Sequence, residues 1–440
     1  MQNKKVLIIG EIFVDMHLDK IERNKSIVRL GGIFHSARGF DAADINYGLA
    51  YYAPSYLKND VDYFSCKLNS KGSYQLGVID RCPNIMLIAE SKEIGDQGYC
   101  NILNEQAEII GCESLAEVVE AFKPTDILIY PGKYSTCSVL EELATYDVNI
   151  HIDFHYDSET LIKSKNFKID TVIISTSSLI FKDVCKGTYR GTIDYFSSDI
   201  CNKILIKENR GGSCVYLHSE KMLYESPAYY IPIVHSVGVG DCFNAVFIGY
   251  NRTMIDNEKR LKLSAMFSSL YASTLDHRHF KQAANSILSK SELVKLDGIR
   301  LSWEERESKS IYIAAPDFPD VDTKLLDLLS DSLKYHNFRV HLPVRENGLI
   351  NENSTYEEEC KTYQKDVELI NNCDLLIAVL LYNDPGTLVE LGMFKQSKKP
   401  TVVFDPYDIC NNMFLKHTPN YLCKTLGEVV DATFECFRRR

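Results

Sequence analysis

The stretch His235–Asn244 places two glycines and a carboxylate at the start of a helical apolar pattern. Gly238, Val239 and Gly240 are followed at once by Asp241. N–H groups at such a helix start have no partner within the helix and lie at the positive end of its dipole, so they can bind an anion or a developing phosphoryl charge. Asp241 could then act as a base toward a nearby hydroxyl. An ordinary capped turn before a helix has the same glycine spacing.

Glu390 could carry a second chemistry. It lies one turn into a predicted helix that opens at a turn containing Asp384, Gly386 and Thr387. Because this turn follows an apolar strand, the carboxylate is expected at the edge where parallel sheets bind ligands. A carboxylate there can attack an anomeric carbon and form a covalent glycosyl intermediate, which divides C–N bond cleavage into two easier steps. The alternative is a glutamate that only stabilises the helix N-terminus.

Short apolar runs that alternate with helical patterns precede the candidate residues. Such runs are typical of strands buried on both faces, and their alternation with helices predicts a doubly wound parallel sheet. In the first three hundred residues the runs are Val6–Ile9, Ile127–Tyr130, Val148–Ile152, Val172–Ile174 and Ile204–Ile206.

Polar and glycine residues follow several of these runs. Asp15 comes after the first run, at the position where open α/β sheets bind ligands, although it can equally be a turn acid. Gly31 and Gly32 precede a probable helix and allow close approach of a sugar or of backbone, but they also fit a hairpin end. Gly211 and Gly212 form a similar pair after the last run.

In their order along the chain, Asp15, the two glycine pairs and the stretch Gly238–Phe243 resemble the ribokinase/fructokinase-like (PfkB-type) family of sugar and nucleoside kinases. The resemblance covers about residues 1–295. It implies an α/β sandwich with a small β lid, and in this family the lid often forms a dimer. The segments expected to supply the lid lie around Phe13–Leu30 and Ile85–Asn104.

The same resemblance implies a role for each matched residue. Asp241 is the implied base that activates a substrate hydroxyl, with ATP and Mg²⁺ as the implied cofactors. The implied sugar-site residues are Asp15, Gly31 and Gly32. The residues implied for the anion hole and ATP binding are Gly238, Val239, Gly240, Gly211 and Gly212.

Three departures from the family pattern concern the same site. The family usually has an acid at the position of His235 and an asparagine near Ser36. Its N-x-x-E motif, which organises Mg²⁺ and phosphate, should fall near Ser175–Ser178, where this chain has only hydroxyl side chains. Because Mg²⁺ prefers hard oxygen ligands such as carboxylates, the loss of this glutamate weakens the expected metal chemistry.

A second α/β pattern begins near residue 310, after the charged stretch Glu304–Lys309. We therefore expect a kinase-like domain in residues 1–300, a solvated linker in 301–309 and a smaller Rossmann-like or flavodoxin-like domain in 310–440. Strands are predicted at Ile311–Ala315, Arg339–Leu342, Leu375–Leu381 and Thr401–Phe404, with helices between them.

Residues 310–404 resemble the nucleoside 2-deoxyribosyltransferase family and its relatives that hydrolyse nucleosides or nucleotides. The match runs through Ile311–Pro316, Asp366, Asn372–Val379, Asp384–Gly392 and Lys398–Pro400. It implies that Glu390 is the nucleophile and that Tyr312 orients it. The residues implied for substrate binding are Asp374, which would contact the base, and Asp384, Gly386 and Thr387, which would shape the pocket.

Two questions stay open for this second domain. Arg345 could bind a 5′-phosphate by a bidentate contact or could pair with a neighbouring acid. Whether water or a second base accepts the sugar depends on the solvation of the pocket. The resemblance implies no cofactor for this domain.

Composition limits the other classes of function. The chain of 440 residues is 45% hydrophobic and 25% charged, with a net charge of −11, which argues against general nucleic-acid or membrane-surface binding. The 14 cysteines show no paired metal spacing, so we expect reduced thiols, no metal-ligand cluster and a cytoplasmic location. No stretch is long enough and apolar enough to predict a membrane span.

Two main hypotheses follow. In the first, the protein is a bifunctional enzyme of nucleoside metabolism that cleaves or exchanges an N-glycosidic bond and phosphorylates a sugar or nucleoside with ATP. In the second, the N-terminal domain is a kinase-derived binding or oligomerisation module that controls a C-terminal N-glycosidase. A non-catalytic interaction protein is a third option. In each enzymatic case the partners are small nucleosides, nucleotides or sugars, and a homo-oligomer is expected.

Overall fold

The computed structural model describes residues 4–18, 27–89, 92–95, 98–154, 167–229, 231–250, 255–289, 298–351 and 353–438. The chain divides into two compact units. Unit 1 comprises Met1–Lys92 and Gln97–Arg300, and unit 2 comprises Glu93–Asp96 and Leu301–Arg440.

Unit 1 is built on a ten-stranded sheet with a small four-stranded sheet and a two-stranded ribbon. Its strands are β1 (Lys5–Glu11), β2 (Val14–His17), β3 (Ile27–Leu30), β4 (Asn46–Ala53), β5 (Ser73–Asp80), β6 (Ile85–Ile88), β7 (Tyr99–Asn101), β8 (Glu108–Gly111), β9 (Asp126–Ile129), β10 (Asn149–Asp153), β11 (Ile169–Ser175), β12 (Cys201–Lys207), β13 (Ser213–Leu217), β14 (Met222–Ser226), β15 (Ala228–Tyr229) and β16 (Gly298–Ile299).

The large sheet has the order β14-β13-β12-β11-β10-β9-β1-β4-β5-β8. Its seven strands from β12 to β5 pair in parallel, and all five runs predicted in this part of the chain lie among them. The predicted parallel sheet is therefore confirmed. Residues Val6–Ile9 of β1 are fully buried, as their uninterrupted apolar run indicates.

Helices complete the layers of unit 1. The helix that contains Gly39 packs closely against the helix that contains Ala245. A Cβ at Gly39 would lie only 3.0 Å from the Cβ of Ala245. The helices are α1 (Phe34–Ala42), α2 (Lys58–Lys67), α3 (Leu115–Phe122), α4 (Thr136–Leu143), α5 (Tyr189–Tyr195), α6 (Val239–Gly249), α7 (Asn257–Ala272) and α8 (His277–Ser289). Short 3-10 turns occur at Ser55–Leu57, Asn104–Gln106 and Asn209–Gly211, and a π-helical turn occurs at Ile180–Val184.

The small sheet has the order β3-β2-β6-β7. Its strands come from the two segments expected to form a lid, so this part of the expected fold is confirmed. Residues 19–26, 90–91 and 96–97 of those segments lie outside the described residues. Residues Glu93–Asp96 are counted with unit 2.

Unit 2 contains a five-stranded parallel sheet with the order β18-β17-β19-β20-β21. Its strands are β17 (Ser310–Ala314), β18 (Arg339–His341), β19 (Leu375–Val379), β20 (Thr401–Phe404) and β21 (Tyr421–Cys423). The first four match the predicted strands, and the Rossmann-like architecture is confirmed. Strand β21 was not predicted, because it is three residues long and two of them are exposed.

The helices of unit 2 alternate with these strands. They are α9 (Trp303–Glu307), α10 (Lys324–Tyr335), α11 (Pro343–Asn347), α12 (Tyr356–Asn372), α13 (Pro385–Gln396), α14 (Met413–His417) and α15 (Leu426–Cys436). Helix α9 occupies the stretch that we expected to be a solvated linker. Ser302 and Glu305 form a capping box at its start, and the side chain of Arg306 is fully buried.

Two candidate active sites

The first candidate site, in unit 2, forms where β19 ends and α13 begins. Asp384 is the N-cap of α13, and its Oδ2 accepts hydrogen bonds from the Thr387 N–H at 2.7 Å and the Thr387 hydroxyl at 2.8 Å. Pro385 occupies the first helical turn, where its missing N–H costs nothing. This capped turn fixes the direction of the helix that carries Glu390.

Glu390 is held by a tyrosine from the neighbouring strand. The phenol of Tyr312, on β17, donates a 2.7 Å hydrogen bond to Oε1 of Glu390. Burial raises the pKa of Glu390 to about 7, the Tyr312 hydrogen bond opposes this rise, and Asp366 and Asp384 add to it. Burial and the charge of Glu390 raise the pKa of Tyr312, so the phenol stays a donor at neutral pH.

A cavity of about 330 Å³ opens beside Glu390, between α12 and α13. Asp366 and Tyr363 line it from α12, and Gly386 and Glu390 line it from α13. The remaining lining side chains are apolar, namely Val367, Ile370, Pro385, Val389 and Met393. A cleft with apolar walls and two carboxylates suits a small organic ligand that reacts with one of them.

Asp366 falls within the family resemblance of this domain, which implies no role for it. Its Oδ1 accepts a 2.7 Å hydrogen bond from the side-chain amide of Asn347, on α11. Burial raises the pKa of Asp366, although this hydrogen bond opposes the rise. Asp366 and Ile370 are four residues apart on a helix and therefore lie on one face. This spacing is the signal in the sequence that could have indicated that Asp366 lines the cavity.

Some of the other residues predicted for this site lie at the cavity, and others do not. Gly386 lines it, while Asp384 and Thr387 build the turn beside it. Asp374 does not reach Glu390, because it precedes β19 and its Oδ2 accepts the Ser310 N–H at 2.9 Å. It therefore lies at the amino ends of the strands, opposite the ends that bear α13. This placement does not fit the base contact expected for Asp374.

Arg345 pairs with neighbouring acids, which is the second of the two possibilities that the sequence left open. Its Nε and Nη2 bind the two carboxylate oxygens of Asp317 at 2.6 and 3.1 Å, and its Nη1 binds Asp327 Oδ1 at 2.7 Å. The guanidinium is thus paired with acids and does not line the cavity. The structure gives no support to a phosphate contact by Arg345.

The second candidate site, in unit 1, begins with Asp15 on lid strand β2. His35 Nε2 lies 2.9 Å from Asp15 Oδ2, and the other ring nitrogen lies 2.8 Å from the hydroxyl of Tyr271. Burial lowers the pKa of His35 to about 4, so the ring is neutral at pH 7. Burial opposes ionisation of Asp15, but His35 and Arg29 hold its pKa below the usual range.

The predicted Gly31–Gly32 pair has a steric reason here. A Cβ at residue 31 would overlap the carboxylate of Asp15, and one at residue 32 would overlap the carbonyl oxygen of Glu11. Gly32 also has a φ of +60°, which favours glycine. The pair lets the chain pass closely over Asp15 between β3 and α1.

Arg29 of lid strand β3 joins the lid to the glycine turn before α6. Its Nη2 donates to the carbonyl of Val237 at 3.1 Å and lies 3.4 Å from His235 Nδ1. The guanidinium also lies 5.7 Å from the centre of the Tyr271 ring. Arg29 was not predicted from the sequence, because Val237 and His235 are more than two hundred residues away from it along the chain.

The glycine turn Gly238–Gly240, which was predicted to bind an anion and is called the anion turn below, lies at the start of α6. Gly238 is its N-cap in the left-handed conformation, with φ +72°, and a Cβ there would overlap the ring of His35. No acceptor among the described residues takes the N–H of Gly240 or Asp241, as expected in a first helical turn. Asp241 keeps some solvent exposure, but the protein around its carboxyl raises its pKa to about 7.

Lys207, at the end of β12, lies beside this turn. Its Nζ binds Asp153 Oδ2 at 2.6 Å and would be 3.2 Å from a Cβ at Gly240. The amide of Asn244, on α6, also donates to Asp153 Oδ2 at 2.6 Å. Burial is the largest effect on the pKa of Asp241 and raises it; Lys207 opposes this rise, whereas Asp153 adds to it. Neither Lys207 nor Asp153 was predicted to belong to the site.

The Gly211–Gly212 turn makes close contacts with other residues of unit 1. Arg300 donates to the carbonyl of Gly211 at 2.9 Å. A Cβ at Gly212, whose φ is +109°, would overlap the carbonyl oxygen of Ser226. This glycine is therefore needed for the chain path, and nothing in the turn singles it out for ATP.

The position expected for the Mg²⁺ motif contains a hydroxyl turn. Ser175 Oγ lies 2.7 Å from Ser177 Oγ, and Ser178 Oγ donates to the carbonyl of Ser175 at 2.7 Å. The described residues hold no group of three or more His, Cys, Asp or Glu side chains placed to bind a metal ion. At the position where the kinase resemblance implies a glutamate that organises Mg²⁺, this turn supplies hydroxyl groups only, so its residues do not fit that part of the metal site. None of the described helices has the length and apolar character to cross a bilayer.

Comparisons with known proteins agree with this two-part architecture. Residues 311–418 match the model of the family described as nucleoside 2-deoxyribosyltransferase. The chain is similar to an E. coli protein described as a ribokinase II in complex with ATP and Mg²⁺, with 13% identity, a TM-score of 0.50 and coverage of 65% of this chain and 99% of the other. The apo form of ribokinase II from E. coli matches with 12% identity, a TM-score of 0.50 and coverage of 65% and 99%.

No curated protein matches the chain significantly. At these identities the structural likeness establishes the fold alone. The chain therefore joins a unit of ribokinase-like fold to a domain of the nucleoside 2-deoxyribosyltransferase type.

Proposed function

We propose that unit 2 cleaves or exchanges the N-glycosidic bond of a nucleoside or nucleotide, with Glu390 as the nucleophile. The observation that carries this proposal is the 2.7 Å hydrogen bond from Tyr312 to Glu390 beside a cavity with apolar walls. The matched family description supports the class of substrate.

The chemistry follows from the charges in the cavity. Ionised Glu390 attacks the anomeric carbon, the C–N bond breaks, and the bonding electrons leave with the base. Asp366 faces the same cavity, and its raised pKa suits it to supply the proton that the leaving base needs. Water or a second base then attacks the glycosyl ester and releases Glu390.

For unit 1 we infer phosphorylation of a sugar or nucleoside hydroxyl from ATP, with Asp241 as the base. The free N–H groups at the start of α6 support binding of a phosphoryl group, and the raised pKa of Asp241 suits a proton acceptor near neutral pH. ATP would supply the phosphoryl group. Asp15 and the Gly31–Gly32 pair would lie along the sugar.

The alternative is a binding or oligomerisation module derived from a kinase. It is favoured by Arg29 and His35, which already contact Asp15, and by the hydroxyl turn at Ser175–Ser178. A homo-oligomer through the lid remains a prediction, which the exposed side chains of Ile27 and Val28 favour. ATP turnover with a panel of sugars and nucleosides separates the two functions of unit 1, and Asp241-dependent phosphorylation would exclude the module.

The experiment for unit 2 is base release from nucleosides and nucleotides, followed by chromatography. We expect release by the full-length protein and its loss in Glu390→Ala. Tyr356→Phe is a suitable control, because this tyrosine is 81% exposed at the start of α12. Absence of release from every substrate, or unchanged release in Glu390→Ala, would reject the proposal.

A further inference from the structure

The ammonium of Lys207 lies where the anion turn of unit 1 meets the ends of β10 and β12. Its side chain is 14% exposed, and its Nζ is 2.6 Å from Asp153 Oδ2. The same Nζ would be 3.2 Å from a Cβ at Gly240, so it lies against the backbone at the start of α6. A lysine thus contributes a fixed cation beside the free N–H groups of this turn.

This arrangement leaves little for a divalent cation to bind. Asp153 Oδ2 already accepts hydrogen bonds from Lys207 and from Asn244. Asp153 Oδ1 is buried and has no hydrogen-bond partner among the described residues, but a cation there would share its carboxylate with an ammonium. The hydroxyls of Ser175, Ser177 and Ser178 bond to one another and to their own turn, whereas Thr176 Oγ1 is buried without a partner among the described residues. Hydroxyls are weaker Mg²⁺ ligands than carboxylates.

An ammonium group can instead bind phosphate directly. Lys207 has three N–H donors, of which Asp153 accepts one, so two remain for phosphate oxygens. The N–H groups of Gly240 and Asp241 point out of the first turn of α6, which adds the positive end of the helix dipole. Charge-assisted hydrogen bonds from both sources would converge on one anion.

The geometry points to a site at Lys207 and the start of α6 that binds the terminal phosphate of a nucleoside triphosphate without Mg²⁺. This inference rests on the proposed phosphoryl site of unit 1. It replaces the metal that the kinase resemblance implies with a residue of the chain itself. It concerns binding and holds whether or not the phosphoryl group is then transferred.

The competing explanation is that Lys207 serves only as a counter-ion for Asp153. The same strand offers a matched case, because Lys203 binds Asp170 Oδ2 at the same distance of 2.6 Å and its side chain is 15% exposed. Lys203 lies toward the beginning of β12, away from the strand end that meets the anion turn. The pair Lys203→Gln and Lys207→Gln therefore separates loss of an ion pair from loss of a ligand contact.

The test is calorimetric titration of the full-length protein with ATP, in excess Mg²⁺ and in excess EDTA. We expect the two dissociation constants to agree within about twofold, and Lys207→Gln to weaken binding by about tenfold or more, as loss of a charge-assisted contact to phosphate requires. Lys203→Gln should bind as the unchanged protein does. Thermal unfolding of each variant checks that it is folded.

Gly240→Ala is the second variant, because its Cβ would crowd the end of Lys207 without removing the ion pair with Asp153. We expect it to weaken ATP binding as well. The inference is overturned if ATP does not bind, if binding is lost in EDTA, or if Lys207→Gln and Lys203→Gln bind alike. Metal-independent binding without any phosphorylation would contradict only the proposed kinase activity.

Discussion

Oε1 of Glu390 accepts a 2.7 Å hydrogen bond from the phenol of Tyr312, although the two residues are 78 positions apart in the chain. Strand β17 supplies the donor and helix α13 the acceptor. Because β17 is adjacent to β19 in the sheet and α13 follows β19, the topology brings the two side chains together. This hydrogen bond fixes one carboxylate oxygen and leaves the other for a substrate in the cavity.

Replacement of Tyr312 by phenylalanine should slow base release and change its pH dependence. The lost hydrogen bond to a charged group is worth about 1.5–3 kcal/mol, so we expect kcat/KM to fall roughly ten- to hundredfold. Since Tyr312 lowers the pKa of Glu390, that pKa should rise above about 7 in the variant. Activity needs ionised Glu390 and therefore falls as pH drops through this pKa.

The measurement is kcat/KM for base release as a function of pH, with Tyr356→Phe as the control. The acid limb of the profile should move to higher pH in Tyr312→Phe alone. A slower variant with an unmoved acid limb would show that Tyr312 does not act through the ionisation of Glu390.

Glu390 should also make the protein less stable at higher pH. Its folded pKa of about 7 lies above the ordinary value of 4.5, so the folded state favours the protonated form. The destabilisation is absent below pH 4.5, grows as pH rises and is complete above about pH 7. Glu390→Gln removes it and should raise the free energy of unfolding by about 1–3 kcal/mol at pH 8 but not at pH 4.5. Denaturant unfolding at both pH values measures this, and an equal effect at both would contradict it.

Asp241→Asn should abolish phosphoryl transfer while leaving base release in unit 2 unchanged. An amide cannot accept the proton of a substrate hydroxyl, so we expect the phosphorylation rate to fall by about a hundredfold or more. In the unchanged protein this rate should rise with pH through about 7, where Asp241 ionises. A coupled ADP-release assay over pH measures both effects. Phosphorylation that persists in the variant would exclude Asp241 as the base.

Gly238→Ala should destabilise unit 1. Its φ of +72° disfavours any side chain, and a Cβ would overlap the ring of His35, which is fixed between Asp15 and Tyr271. We expect a loss of about 2 kcal/mol or more. Gly111→Ala is the matched control, because a Cβ there would meet nothing within 4 Å. Thermal unfolding compares the two variants, and equal melting temperatures would contradict the expected clash.

Local patterns in the sequence were sufficient to predict most of the architecture. The apolar runs of β1 and β19 are buried on both faces, and such runs are recognisable without knowledge of their neighbours. Glu390 was found because its helix begins just after an apolar strand. This order along the chain shows at which edge of the sheet the carboxylate lies. The end of the sheet at which Asp374 lies could have been predicted in the same way, since this residue precedes its strand.

Contacts between distant segments could not be predicted from such patterns. Arg29 meets Val237, and Lys207 meets Asp153, only because the sheet order and the lid bring their elements together. From sequence alone, a lysine or an arginine is expected to be exposed to solvent. Arg29 and Lys207 are mostly buried here because they are paired. Strand β21 was missed because its apolar run is only three residues long and two of these residues are exposed.

The central claim is that Glu390 forms a covalent bond to the sugar. The most direct measurement is mass spectrometry of the full-length protein after reaction with a 2′-fluoro-2′-deoxynucleoside, whose fluorine slows release of the glycosyl ester. We expect one sugar added to the peptide that contains Glu390, with release of one equivalent of base, and neither event in Glu390→Ala. Base release without an adduct on this peptide, or an adduct on another residue, would contradict the claim.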